Sequence, residues 1–221
     1  MQAFAALLER LILTPSRNAK LTLFCDYLRH AGDPSRGWAL AAIAGDLSIP
    51  SVKPAAIREL VASRVDPVLF NLSYDYVGDL AETISLIWPA RPGANRSPDL
   101  SEVVETLMES TKAQGLKLVE SWLDALDAAG RWALLKLVTG GLRIGVSSRL
   151  ARQAAADFGK VDVSEIEEIW HGLEPPYLPL FQWLEGKAER PTFAATPVFR
   201  PLMLAHALEK MGAAAAPAPR G

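Results

Sequence analysis

Between Arg131 and Gly159 the chain reads RWALLKLVTGGLRIGVSSRLARQAAADFG. Its first part places apolar residues three and four positions apart, the spacing that gives an α-helix one buried face. Two glycines then interrupt the pattern, and two serines precede the next apolar residues. Because glycine often ends a helix in a left-handed conformation and serine caps helix starts, the segment predicts a helix, a turn and a second helix.

The same punctuation recurs along the whole chain. An N-cap before a proline is predicted at Thr14-Pro15, and a helix start at Lys53-Pro54. Three more helix starts are predicted by an aspartate with a glutamate three residues later: Asp79 with Glu82, Asp99 with Glu102, and Asp162 with Glu165. Alternating strand patterns are scarce, so we expect an all-α protein of about twelve helices and essentially no sheet.

Four landmarks recur at offsets of 94 to 96 residues. They are Trp38-Ala39-Leu40 with Trp132-Ala133-Leu134, Gly45-Asp46-Leu47-Ser48-Ile49 with Gly140-Gly141-Leu142-Arg143-Ile144, Val65-Asp66 with Val161-Asp162, and Trp88 with Trp183. The constant offset predicts two related helical halves, about 1–90 and 98–188, which share one core or pack about an approximate two-fold axis. The turn-forming stretch from Pro89 to Pro98 would join them, and the low-complexity residues 211–221 are expected to be a disordered linker or tail.

Charge is distributed unevenly. The whole chain carries a net charge of −2, yet residues 131–160 hold 6 basic and 1 acidic side chains. This cluster is either a solvated helical face or a surface that contacts a polyanion. The single cysteine, Cys25, excludes an intrachain disulfide and is expected to be a buried thiol. With no secretory leader and no apolar run long enough to span a membrane, we expect a cytoplasmic protein.

The sequence lacks the common catalytic signatures. Gly140 and Gly145 have the spacing of a phosphate-binding P-loop, but Val146 stands where that loop needs lysine. The histidines His30, His171 and His206 have no partner at metal-ligand spacing, so no metal site is expected. The six tryptophans lie in apolar helical patterns and are expected to pack in the core.

The turn after the first helix of the opening segment is the strongest candidate for a binding site. A purely structural explanation needs one glycine to end a helix and one serine to begin the next; it leaves the other glycines and the arginines unexplained. Glycines permit close backbone approach, a helix start offers free N–H groups to a phosphate, and arginine adds a donor fork. We therefore expect DNA-phosphate contacts at Gly140, Gly141, Leu142, Arg143, Gly145, Ser147, Ser148, Arg149 and Arg152. The repeated copy adds Gly45, Leu47, Ser48 and Lys53, and a third helix start adds Thr14, Ser16, Arg17 and Lys20.

Four segments resemble the N-terminal helical DNA-binding domain of ATP-dependent DNA ligases, in a bacterial version. They are Leu13 to Lys20, Tyr74 to Thr83, the Gly140–Arg149 turn, and Phe199 to Ala205, which is similar to the element leading into a ligase's adenylation domain. The resemblance covers about residues 1–210. It implies a pseudo-symmetric helical domain that lies across the minor groove at a nick and acts in DNA repair, replication and recombination, which would place it in the bacterial nucleoid.

The catalytic part of such ligases is missing from the sequence. The family attaches AMP to the lysine of a Lys-x-Asp-Gly motif, and no lysine here fits: Lys160 is followed by Val-Asp-Val and Lys210 by Met-Gly-Ala. We expect a monomeric, non-catalytic domain that binds duplex or nicked DNA. ATP, magnesium, and the adenylation and OB-fold domains would belong to a parent ligase. Two alternatives stay open: a helical protein-interaction scaffold that binds no nucleic acid, and an unrecognised enzyme.

Overall fold

The computed structural model describes residues 1–89, 96–140 and 142–193. These residues form twelve α-helices and no strand, which confirms the all-α prediction. The first six helices are α1 (Gln2–Leu13), α2 (Arg17–His30), α3 (Ser35–Ala44), α4 (Pro54–Ala62), α5 (Pro67–Val77) and α6 (Leu80–Ile87). The last six are α7 (Leu100–Glu109), α8 (Lys112–Ala125), α9 (Ala128–Thr139), α10 (Ser148–Gly159), α11 (Val163–Trp170) and α12 (Leu178–Leu184).

Side-chain caps set most of these helix starts. The Asp79 carboxylate accepts from the Glu82 amide at the start of α6, and both remaining aspartate–glutamate pairs form complete capping boxes at α7 and α11. The predicted N-cap at Thr14 is wrong. Thr14 ends α1 in an extended conformation, as the residue before a proline prefers, and the hydroxyl of Ser16 caps α2 by accepting from the Ala19 amide.

The two sets of six helices follow each other in the same order with matching ends. α3 and α9 both end at a glycine in the left-handed region, Gly45 with φ 88° and Gly140 with φ 69°. α5 and α11 each follow an aspartate N-cap, Asp66 for α5 and Asp162 for α11. Helices 1 to 6 therefore correspond, one by one, to helices 7 to 12.

Helices of one half pack on helices of the other in reciprocal pairs. α1 packs on α9, and the corresponding α7 packs on α3; α2 packs on α10, and the corresponding α8 packs on α4. This exchange is the pattern expected of an approximate two-fold axis. It produces one hydrophobic core to which both halves contribute, including the fully buried Leu8, Leu40, Leu107 and Leu134.

Several predicted core residues lie where expected. Cys25 of α2 is buried, and its thiol donates to the Ala154 carbonyl of α10. Burial raises the pKa of this thiol to about 11, so it is un-ionised at neutral pH. Four tryptophans, Trp38, Trp88, Trp122 and Trp170, are buried, while Trp132 and Trp183 are partly buried against the same core.

Some sequence predictions concern residues outside the described part of the chain. They are Gly141, residues 90–95 of the predicted junction, the Phe199–Ala205 segment and the predicted tail 211–221. The domain limits at residue 210 and between the halves stay predictions. No helix in the described part of the chain combines the length and the apolar character that a membrane crossing requires.

Candidate nucleic-acid interface

The turn between α9 and α10 has one side packed on the protein core and one side exposed to solvent. Ile144 is buried and Leu142 is partly buried against the core, whereas Arg143 between them is exposed. Gly140 and Gly145, with φ 69° and 67°, take backbone conformations that other residues adopt only with strain. The alternation fixes the turn to the protein through its aliphatic residues and leaves the Arg143 guanidinium facing solvent.

The start of α10 supplies the next polar groups. Ser147 is the N-cap and accepts from the Leu150 amide at 3.2 Å, as the sequence predicted for Ser147 or Ser148. Arg149 is exposed in the first turn of the helix. Arg152 is held more firmly, because it donates to the hydroxyl of Ser148 at 3.2 Å and its guanidinium lies 5.5 Å from the ring centre of Trp170.

The third predicted helix start converges on the same place. An open groove, which we call the α2–α10 groove, is lined by Pro15, Arg17, Lys20, Gly145, Val146, Ser147, Arg149 and Leu150. The first turns of α2 and α10 both border it, so two positive helix ends and two exposed arginines face one cleft. Thr14, the C-cap of α1, is not among the residues that line the groove.

Lys20 differs from the other cations of the groove. Its residue surface is only 9% exposed, and its ammonium donates to the carbonyls of Ile144 at 3.2 Å and Gly145 at 2.9 Å. Arg17, Arg143 and Arg149, by contrast, form no ion pair with a carboxylate anywhere in the described ranges. Three arginines are therefore available to an external anion, while the Lys20 ammonium is already hydrogen-bonded to the turn between α9 and α10.

The first copy of the turn, between α3 and α4, is built similarly but carries less positive charge. Ile49 and Val52 are buried anchors, Ser48 and Lys53 are exposed, and Leu47 is partly buried. Lys53 is the N-cap of α4 through its backbone alone, since no side-chain cap forms there. It is the only cation among the four residues predicted at this copy.

Asp46 in this first copy was not singled out from the sequence. Its carboxylate accepts from the Trp170 indole N–H at 3.0 Å and the Tyr177 hydroxyl at 2.8 Å. Trp170 also lies beneath Arg152, so one aromatic ring connects the surroundings of both turns. The contrast Gly45-Asp46 against Gly140-Gly141 was visible in the repeat, but the pairing with α11 depends on the tertiary fold.

The described residues contain no cluster of three or more histidine, cysteine, aspartate or glutamate side chains placed to hold a metal ion. The chemistry that the cleft offers is instead cationic side chains, helix-start amides and serine hydroxyls, all of which suit phosphate oxygens.

Two comparisons bear on identity. A family model described as the DNA ligase N terminus matches residues 1–156, which include both turns and the α2–α10 groove. A sequence comparison with curated proteins finds no match.

Proposed function

The chain belongs to the family of N-terminal domains of ATP-dependent DNA ligases, and from this we propose that it binds duplex DNA, nicked or intact, without reading base sequence. In this proposal it contacts the sugar-phosphate backbone and the minor groove and performs no chemical step. Adenylation and nick sealing would belong to catalytic parts of a parent ligase acting in DNA repair, replication and recombination.

The observation that carries the proposal is the convergence of unpaired cations on the α2–α10 groove. Arg17 and Arg149 line it beside two helix starts, and Arg143 projects from the turn that forms its edge. Helix-start amides and guanidinium groups favour phosphate oxygens because both present N–H donors in a positive field. Such contacts position a duplex but carry no sequence information.

The reciprocal arrangement of the halves supports a second backbone contact at the first turn. Gly45, Ser48 and Lys53 occupy the place in the first half that Gly140, Arg143 and Ser147 occupy in the second. A duplex also presents its two strands about a local two-fold axis, so two related turns can each meet one backbone. The second turn has more unpaired arginines, so it would contribute more than the first turn to the electrostatic part of the DNA-binding free energy.

An equilibrium titration over a range of potassium chloride concentrations tests the proposal. With ~4–6 phosphates neutralised, the logarithm of the association constant should fall against the logarithm of salt concentration with a slope of about −4 to −5. Fluorescently labelled nicked and intact duplexes of two unrelated sequences should give the same slope and similar affinities. A slope near zero, or strong preference for one sequence, would contradict backbone binding.

A protein-interaction scaffold is the second candidate, and one feature favours it. Helix α5 exposes Val68, Leu69, Leu72 and Tyr76, the last with 93% of its surface in water. The corresponding helix α11 carries polar Ser164, Glu165 and Glu168 at the matching positions. Exposed apolar side chains on one helix are typical of a protein contact. The same DNA titration separates the two candidates, because a scaffold without nucleic-acid binding gives no saturable signal.

A further inference from the structure

Lys20 is an unusual support for a surface turn. The Lys20 residue as a whole is nine-tenths removed from water, yet no carboxylate of the described residues pairs with its ammonium. Burying an uncompensated charge is costly, so such a group persists only where hydrogen bonds offset the lost hydration. Here the compensation comes from two successive backbone carbonyls, those of Ile144 and Gly145.

The Lys20 ammonium lies close to the backbone of the turn at Gly145. A Cβ placed on Gly145 would lie 2.6 Å from the Lys20 Nζ, and the φ of Gly145 is +67°. Glycine at this position therefore satisfies two requirements at once, the left-handed backbone and the close approach of the ammonium. The lysine and the glycine work as one unit that fixes the path of the chain between Arg143 and Ser147.

The first turn supplies an internal comparison. Gly115 of α8 occupies the place that Lys20 occupies in α2. A Cβ on Gly115 would lie 3.2 Å from the Ser51 side chain, so the first turn rests directly on its supporting helix. The Ser51 hydroxyl is buried and has no hydrogen-bond partner. The two turns thus have similar backbone paths but pack on different groups. The turn after α3 packs on the backbone of α8 at Gly115, whereas the more basic turn after α9 is hydrogen-bonded to the ammonium of Lys20.

We infer that Lys20 is a positioning residue of the DNA interface: it holds the Ile144 and Gly145 peptides so that Arg143 and the α10 start face the groove, and it does not itself bind phosphate. The inference rests on the proposed function and revises the direct contact expected for Lys20 from the sequence. It accounts for why a buried cation stands beneath this turn, where an apolar side chain would leave the two carbonyls without their donor.

Salt-dependent binding distinguishes positioning from direct contact. Lys20→Met should weaken DNA binding roughly ten-fold at every salt concentration, through loss of two charge-assisted hydrogen bonds, with the salt slope unchanged. Arg149→Met should instead make the slope shallower by about 0.9, because one phosphate contact is lost. Lys117→Met, on the exposed surface of α8, controls for removal of one positive charge and should bind as the unaltered protein does.

Two results would overturn the inference: Lys20→Met binding as tightly as the unaltered protein, or Lys20→Met flattening the slope as Arg149→Met does. If Lys20→Met fails to fold, Gly145→Ala tests the same contact with every charge retained, and it should weaken binding with the slope unchanged. Unaltered binding by Gly145→Ala would likewise contradict the inference.

Amide hydrogen exchange separates this inference from the proposed function. In Lys20→Met the amides of residues 142–147 should exchange faster, while those of α12 should keep the rate of the unaltered protein. This result stands even if the chain binds no DNA, in which case the proposed function fails and the support role of Lys20 survives. Equal exchange rates in the turn would show that Lys20 does not hold it.

Discussion

Arg143 acquires its exposed position from its two neighbours rather than from its own contacts. Leu142 and Ile144 face the core on either side of it, and the flanking glycines let the chain bend sharply enough to return to α10. Without an acidic partner in the described residues, the guanidinium keeps all its donors for an external anion.

Replacing Arg143 should therefore affect binding and leave folding intact. Arg143→Ala is expected to weaken binding to nicked and intact duplex alike, by about 1–3 kcal/mol, because charge-assisted hydrogen bonds to phosphate are lost. The melting temperature should not change, since the side chain is exposed. Fluorescence anisotropy at one salt concentration measures the effect. Arg29→Ala, at the far end of α2 and paired with Asp26, is the matched control; equal affinities of the two variants would remove Arg143 from the interface.

Local chemistry made part of this site predictable from the sequence. A glycine that ends a helix and a serine that caps the next act through neighbouring residues, and both were found at Gly140 and Ser147. Ser16 was placed within the correct helix start, although Thr14 was named as its cap. The burial of Lys20 was beyond prediction, because it depends on a carbonyl pair 124 and 125 residues away in the chain.

Among elements, helix starts and ends were predictable, whereas helix partners were not. Capping and apolar periodicity depend on windows of a few residues, so the approximate number of helices and several helix starts followed from them. Reciprocal packing joins α1 to α9 and α3 to α7, whose first residues are 126 and 65 positions apart in the chain. The repeat indicated related halves, but it left open whether they share a core or pack about an axis.

Gly37 of α3 lies directly against the backbone of the segment before α12. A Cβ on this residue of α3 would lie 1.7 Å from the carbonyl oxygen of Pro176, in the segment before α12. Gly37→Ala should destabilise the protein by about 3 kcal/mol, because backbone must move to make room. Gly32→Ala is the control, since nothing lies within 4 Å of the added carbon there. Urea unfolding followed by circular dichroism should separate the variants; coincident midpoints would contradict the close approach.

In the whole molecule, the ion cluster around Arg36 adds a polar link between the halves. Arg36 of α3 donates to Asp33 and to Glu185, the C-cap residue of α12, and its guanidinium lies 4.4 Å from the ring centre of Phe181. The hydrogen bonds from Arg36 and then Lys187 lower the pKa of Glu185 from 4.5 to about 2. Because the folded state favours the ionised form of Glu185, the free energy of unfolding depends on pH.

The sign of that dependence follows from the lowered pKa. The stabilisation is complete above about pH 4.5, declines as the pH falls toward about 2, and is absent below. Glu185→Gln should lower the free energy of unfolding at pH 7 by about 1–2 kcal/mol, a figure reduced for screening by water at this 23% exposed side chain. Urea unfolding at pH 7 and at pH 2 measures it, and most of the difference should be lost at the lower pH, where about half of the carboxylate is protonated. Glu189→Gln, an exposed control, should match the unaltered protein at both pH values. A Glu185→Gln deficit that is undiminished at pH 2 would argue against the ionic link.

Reciprocal packing also has a consequence for how the chain is made. The buried face of α1, with Phe4, Leu8 and Leu11, is covered by α9, which follows about 115 residues later. At ribosomal rates of roughly 5–20 residues per second, α9 is synthesised about 6–23 s after α1. Until then α2, which also packs on α1, can cover part of this face. A chain cut short before Ala128 leaves the remaining apolar surface of α1 in water, so translation that stops before α9 yields a product prone to aggregation or proteolysis.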